Sequence, residues 1–236
     1  MGWGGVYPMK PYALLFAGQG AQTPGMGLSV LTESPSLQAY FDQLQAAVPF
    51  SLLEVLKGDD GRLNQTRYTQ PSLAVTSLLL YQQLKPFLPK QASAIAGFSL
   101  GEITALVASG ILDTSSMLSL LNVRAEAMEQ ASLAQPGKMA AFIGASDEQL
   151  GQLLASVQEE GVLEIVNYNC PGQRVLSGTV KAIDKAVSIA SQFGARRAIP
   201  LAVSGAFHSS LMQSAQFPLA TLLNVNDSRA LYPSLF

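Results

Sequence analysis

The pentapeptide Gly97-Phe98-Ser99-Leu100-Gly101 constrains this chain more than any other stretch. It follows a short apolar run, Ser93–Phe98, that is strand-like, and it precedes Leu100–Ser109, which has helical spacing and is closed by Gly110. A serine at so sharp a strand-to-helix turn needs neighbours two before and two after that are nearly free of side chain, because backbone segments approach closely there. The same turn leaves the serine at a helix N-terminus, where unpaired N–H groups and the helix dipole favour developing negative charge. Ser99 is therefore the candidate nucleophile. With 20 glycines in 236 residues the pattern also arises by chance, and its place between strand and helix is what argues against chance here.

Other segments continue the alternation of strand and helix. Tyr12–Ala17 reads as a strand ending in Gly18-Gln19-Gly20, Thr69–Leu84 as a helix with Pro71 in its first turn, and Ser115–Leu133 as a longer amphipathic helix. That order predicts an α/β fold with a parallel sheet. The pattern then changes. Strands at Met139–Gly144, Leu163–Tyr168, Arg174–Ser177 and Arg196–Val203, with helices at Asp147–Glu160 and Val180–Phe193, give βαββαβ, the ferredoxin-like order. The expected organisation is a large α/β domain from residues 1–133 and 204–236, with a small inserted subdomain at 134–203.

A nucleophilic serine needs a partner that accepts its proton, and His208 is the sole histidine of the chain. It lies in Ser204-Gly205-Ala206-Phe207-His208-Ser209, a loop of small residues after the last strand of the insert. A lone histidine is more often structural, but once Ser99 is accepted no other imidazole is available. No lysine stands near the elbow in sequence. On the Ser115–Leu133 helix, Arg124 falls within a stripe formed by Met117, Leu120, Leu121 and Met128, with Glu126 and Glu129 on the other side. An arginine there calls for an anionic partner, and a carboxylate suits its fork; a structural ion pair or an outward-snorkelling stem is the plainer alternative.

Composition removes several classes of function. The formal net charge of −2 lacks the basic footprint that nucleic acid requires. One His and one Cys leave no metal-binding set, and no Asp/Glu cluster has ligand spacing. The apolar runs Leu73–Leu80 and Ile111–Leu121 fall short of the roughly 20 residues that span a bilayer, and Met1–Lys10 does not read as a secretion signal. The single Cys170 forms no internal disulfide and points to a reducing compartment, the cytoplasm.

Taken together, Phe16-Ala-Gly-Gln-Gly-Ala-Gln22, Gly97-Phe-Ser-Leu-Gly-Glu102, Arg124, Asn167-Tyr-Asn-Cys-Pro-Gly-Gln173 and Gly205-Ala-Phe-His-Ser209 resemble the malonyl-CoA:acyl carrier protein transacylase family. The resemblance runs from about Tyr12 to about Leu223, with the motifs in family order. It implies an α/β-hydrolase-like large domain with a ferredoxin-like small one. It implies Ser99 as the acylated nucleophile, His208 as its base, and the backbone N–H groups of Gln19 and Leu100 as the oxyanion hole. Arg124 would bind the free carboxylate of malonyl, and Phe207 would disfavour methyl-branched acyl units, unless its ring is simply core. The substrates implied are malonyl-CoA and the phosphopantetheine thiol of acyl carrier protein, in fatty acid or polyketide biosynthesis, with no permanently bound cofactor.

The match departs from the family at two places. Phe98 stands where histidine is common, directly before the nucleophile. After Asn224-Val-Asn-Asp-Ser-Arg-Ala-Leu-Tyr-Pro-Ser-Leu-Phe236 the family's last sheet elements have no counterpart, including the backbone carbonyl that orients the catalytic histidine. A C-terminally shortened member would expose a sheet edge and an apolar patch, and self-association there is expected. Two other readings stay open: a serine esterase using Asp113, Asp147 or Asp184 as the triad acid, and a carrier-binding paralogue without turnover.

Overall fold

The computed structural model describes residues 11–89 and 92–222. The Met1–Lys10 and Asn224–Phe236 segments lie outside the described residues. By internal contacts the described residues form two units, 11–122 and 123–222.

In the first unit, β1 (Ala13–Phe16) and β2 (Ala94–Gly97) pair in parallel, from Ala13 opposite Ala94 to Phe16 opposite Gly97. Parallel neighbours need a long crossover, and four helices supply it: α1 (Leu28–Glu33), α2 (Gln38–Ala46), α3 (Leu52–Lys57) and α4 (Thr66–Leu84). Helix α4 starts three residues before the expected Thr69, because the Gln65 carbonyl accepts from both Tyr68 and Thr69 N–H groups at 2.8 Å. Pro71 consequently sits past the first turn, where it forgoes a hydrogen bond to the carbonyl four residues earlier. From Thr69 to Leu79 this helix is buried on nearly every side, as a helix at the centre of a core must be. Val75, Leu78 and Leu79 pack in one cluster with Phe41, Leu44, Leu52, Leu100, Met117 and Leu121. On one face of the two strands, Ala13, Leu15, Ala94 and Ala96 are exposed, Leu15 by 79%.

Helix α5 (Leu100–Ala108) follows β2 and ends before Gly110, which adopts φ 79°. Helix α6 (Thr114–Ala134) comes next, and the division between the units falls within it, after Asn122.

The second unit contains β3 (Gly137–Ile143), α7 (Asp147–Val157), β4 (Leu163–Cys170), β5 (Gln173–Thr179), α8 (Val180–Ile189) and β6 (Arg197–Pro200). The strands form one antiparallel sheet in the order β4-β5-β3-β6. Strand β6 ends three residues before the expected Val203; it is an edge strand, where Pro200 is tolerated because no ladder donor is needed on the open side. Side chains alternate across β3. Ala140 and Phe142 join Leu150, Leu153, Leu176 and Ile183 beneath α7 and α8, whereas Met139 and Ala141 join Val175 on the opposite face. That opposite face is covered by Phe207, Met212 and Ala215, with Met128 and Ala131 of α6. The chain after β6 is thus held against the sheet by its own apolar residues. A six-residue 3₁₀ turn (Ser210–Ala215) and α9 (Gln216–Leu222) complete the described chain.

Candidate active site

The elbow serine sits where no ordinary residue is comfortable. Ser99 has φ 52° and ψ −105°, outside the favoured regions for an L-residue, a conformation that costs about 1–3 kcal/mol. What enforces it is the packing of three glycines. A Cβ at Gly97 would overlap the main chain of Gly101, and one at Gly101 would overlap the Phe16 carbonyl. A Cβ at Gly18 would overlap the Phe98 carbonyl. Hydrogen bonds close the turn: Phe98 N–H donates to Phe16 O at 3.0 Å, Gly101 N–H to Phe98 O at 2.9 Å, and Glu102 N–H to Ser99 O at 3.1 Å. The N–H of Leu100 lies just ahead of these, at the first position of α5, where it has no acceptor four residues back within the helix.

The loop after β1 is shaped beside this turn. Gly20 takes φ 108°, and its N–H donates to Gln22 Oε1 at 2.7 Å. Two side-chain amides tie the loop to the start of α4 and to the 3₁₀ turn just before it: Gln19 Nε2 donates to Thr66 Oγ1 and Gln22 Nε2 to Asn64 Oδ1, each at 3.2 Å. Gly18 is required for close approach rather than for an unusual φ, so a strand-end turn alone does not account for it. Within the first unit the fold therefore brings Gln19, Ser99 and Leu100 to one end of β1 and β2. Phe98 is 49% exposed, its ring lying over Gly18.

The other three site residues belong to the second unit. Arg124 is half-buried on α6, and the buried positions nearest it along the helix are Leu120, Leu121, Ala125 and Met128. His208 is exposed and takes φ 64°, again a left-handed conformation in a residue other than glycine. Its loop is fastened by close contacts. Gly205 presses against the Ser132 side chain of α6, and fully buried Ala206 packs 2.5 Å from an ideal Cβ at Gly137. Ser209 Oγ donates to Ala206 O at 2.6 Å. Phe207 is 5% exposed within the cluster of Met128, Met139 and Met212, a burial that stabilises the loop by about 1.5–3 kcal/mol.

The three aspartates considered for a hydrolase triad are engaged elsewhere. Asp113 caps α6, accepting from Ser116 Oγ and, at 2.9 Å, from Ser116 N–H, which hold its carboxyl below the ordinary range. Asp147 accepts from Arg174 Nη2 at 3.0 Å; Arg174 Nε is also 2.8 Å from its second oxygen, at ion-pair distance but not aligned as a hydrogen bond. Asp184 receives both its bonds from Lys138 Nζ, at 2.7 and 2.8 Å. No motif or spacing signals a further contact, in which Glu164 of β4 grips Ser210, two residues past His208.

Known proteins share this arrangement of sequence. Residues 13–230 match the acyl transferase domain family. The chain is 39% identical over 221 residues to the malonyl CoA-acyl carrier protein transacylase of Bacillus subtilis, covering 93% of this chain and 69% of that one. To the protein of that name from Haemophilus influenzae it is 37% identical over 217 residues, covering 91% and 70%. Among solved structures, MCAT from Streptococcus pneumoniae superposes with a TM-score of 0.82 at 40% identity, covering 90% of this chain and 70% of that one. A malonyl-transacylase in complex with its type II PKS acyl-carrier protein superposes with a TM-score of 0.84 at 32% identity, covering 92% and 70%. The chain belongs to the malonyl-CoA:acyl carrier protein transacylase family of acyl transferase domains.

Proposed function

We propose that Ser99 carries a malonyl group from coenzyme A to the phosphopantetheine thiol of acyl carrier protein. The observation that carries this reading is the strained turn at Ser99, maintained by glycine contacts and lying beside a tethered Gly-Gln-Gly loop. Ser99 Oγ attacks the thioester carbonyl of malonyl-CoA while its proton passes to His208. The negative charge on the former carbonyl oxygen accepts hydrogen bonds from the Gln19 and Leu100 N–H groups; removing one such donor costs about 2.7–4 kcal/mol in the barrier. Collapse breaks the C–S bond, the imidazolium returns its proton to the departing sulfur, and malonyl-Ser99 remains. The carrier thiol then repeats the sequence in reverse, giving its proton to His208 and releasing Ser99.

Arg124 holds the free carboxylate of malonyl in this reading, and its half-buried place among apolar neighbours supports the role. For Phe207, burial supports core packing beneath the His208 loop, and we infer that it acts on acyl choice through that loop. Comparing malonyl-CoA with methylmalonyl-CoA in a Phe207→Leu variant tests it: an unchanged ratio removes Phe207 from specificity.

We read the large unit as α/β-hydrolase-like and the βαββαβ unit as a ferredoxin-like insert at residues 134–203. The sheet order β4-β5-β3-β6 supports the second assignment. No helix among the described residues is long and apolar enough to cross a membrane, and a cytoplasmic setting fits the substrates. The exposed face around Leu15 supports self-association with a second copy; sedimentation that stays monomeric as concentration rises would remove that part.

The deciding experiment follows malonyl from malonyl-CoA in the presence of carrier protein. Transfer to the carrier thiol faster than release as free malonate supports the reading. Hydrolysis of neutral esters outpacing transfer would favour an esterase, against which the engagement of Asp113, Asp147 and Asp184 already argues. Carrier binding without acyl-Ser99 would favour a binding paralogue.

A further inference from the structure

The loop that carries His208 has an unusual conformation with a visible restraint on each side. Upstream, Gly205 lies against Ser132, Ala206 is fully buried and Phe207 is in the core. Downstream, Glu164 accepts two hydrogen bonds from one residue: Ser210 N–H donates to Oε2 at 2.8 Å, and Ser210 Oγ donates to Oε1 at 2.6 Å. Glu164 and Ser210 are 46 positions apart in sequence. Glu164 projects from β4, a strand fixed along its length to β5, so the grip is anchored in the sheet. Ser210 opens the 3₁₀ turn, and only Ser209 separates it from His208 at φ 64°. A left-handed residue other than glycine persists only where its surroundings over-determine it. A carboxylate bound to both the main chain and the side chain of Ser210 supplies that restraint, because rotation about the following peptide would break both bonds together.

We propose that Glu164 is a positioning residue for His208: acting through Ser210, it fixes the Ser209–Ser210 peptide, one residue past the histidine, and so presents the imidazole in one orientation. The proposal rests on the reading of His208 as the base. Nothing chemical is asked of Glu164 itself. Its carboxylate serves only as the acceptor of the two bonds from Ser210.

The test uses the fact that the chain has a single histidine, so imidazole nitrogen resonances in a nitrogen-15 NMR spectrum belong to His208 without ambiguity. The wild type is expected to show one sharp imidazole pattern, and Glu164→Ala a broadened or shifted one reflecting several orientations. Glu164→Gln, which keeps one acceptor, is expected to fall between them, and Ser210→Ala, which keeps the main-chain bond, to resemble Glu164→Gln. In single-turnover acylation by malonyl-CoA, Glu164→Ala should slow the step about tenfold or more with the half-saturating malonyl-CoA concentration little changed, as ångström-scale misplacement does. In a His208→Ala background the same change should have no further effect, because the group being positioned is gone.

An imidazole spectrum unaltered in folded Glu164→Ala or Glu164→Gln protein would overturn the proposal, as would a full additional loss in the His208→Ala background. Failure of the underlying reading looks different. There, His208→Ala itself would acylate at the wild-type rate, whatever the spectra of the Glu164 variants.

Discussion

Gly101 lies against the main-chain carbonyl of Phe16, so closely that a methyl group added there would overlap it. The contact joins the first turn of α5 to the end of β1 and leaves the chain at Ser99 no room to relax. Gly101→Ala should therefore force backbone movement and destabilise the protein by about 1–3 kcal/mol or more, with a larger loss of acylation than of stability. Gly151, exposed on α7 with nothing within 4 Å of an added Cβ, is the matched control. Gly151→Ala should be neutral or stabilising by about 0.5–1 kcal/mol, since it only removes the entropic penalty of glycine in a helix. Urea denaturation of the two variants checks both signs.

The cap on α6 gives a pH prediction. Hydrogen bonds from the Ser116 hydroxyl and then its N–H lower the Asp113 carboxyl below its ordinary 3.8. A group depressed in the folded state stabilises fully above its unfolded value, and that contribution is lost as pH falls through the folded one. Asp113→Ala should lower the melting temperature at neutral pH. The difference from wild type should shrink below pH 3.8 and vanish in stronger acid, which thermal melts across that range would show.

Arg124 predicts specificity rather than turnover. Arg124→Ala should lower malonyl transfer by about 10- to 100-fold, the worth of a charge-assisted hydrogen bond, and leave transfer from acetyl-CoA nearly unchanged. Equal losses for both acyl groups, measured as kcat/KM, would assign Arg124 a structural role.

Some of this architecture is legible in the sequence because it is enforced locally. The spacing of Gly97, Ser99 and Gly101 is a steric requirement of one turn, and β2, the elbow and α5 appear where it demands. The strands and helices of the four-stranded sheet are legible for a similar reason: their apolar periods are long, and Ser146 and Thr179 cap α7 and α8. The last turns of both expected helices, residues 158–160 and 190–193, are 3₁₀ rather than α. Helices α1 to α3 were not legible. They have six, nine and six residues, too short to show a period, and they owe their helicity to burial of Val30, Phe41, Leu44, Leu52 and Leu56 in the core. At the site, Gly18 reads as an ordinary turn residue until the Phe98 carbonyl is seen against it. The Glu164–Ser210 grip joins positions that no motif or period connects; only the folded sheet brings them together.

The most direct measurement is the mass of the protein quenched within one turnover of mixing with malonyl-CoA, followed by peptide mapping. The account predicts a single malonyl ester on Ser99 that disappears when carrier thiol is added, and no ester in Ser99→Ala. A stable malonyl group on any other side chain, or wild-type transfer by Ser99→Ala, would contradict it.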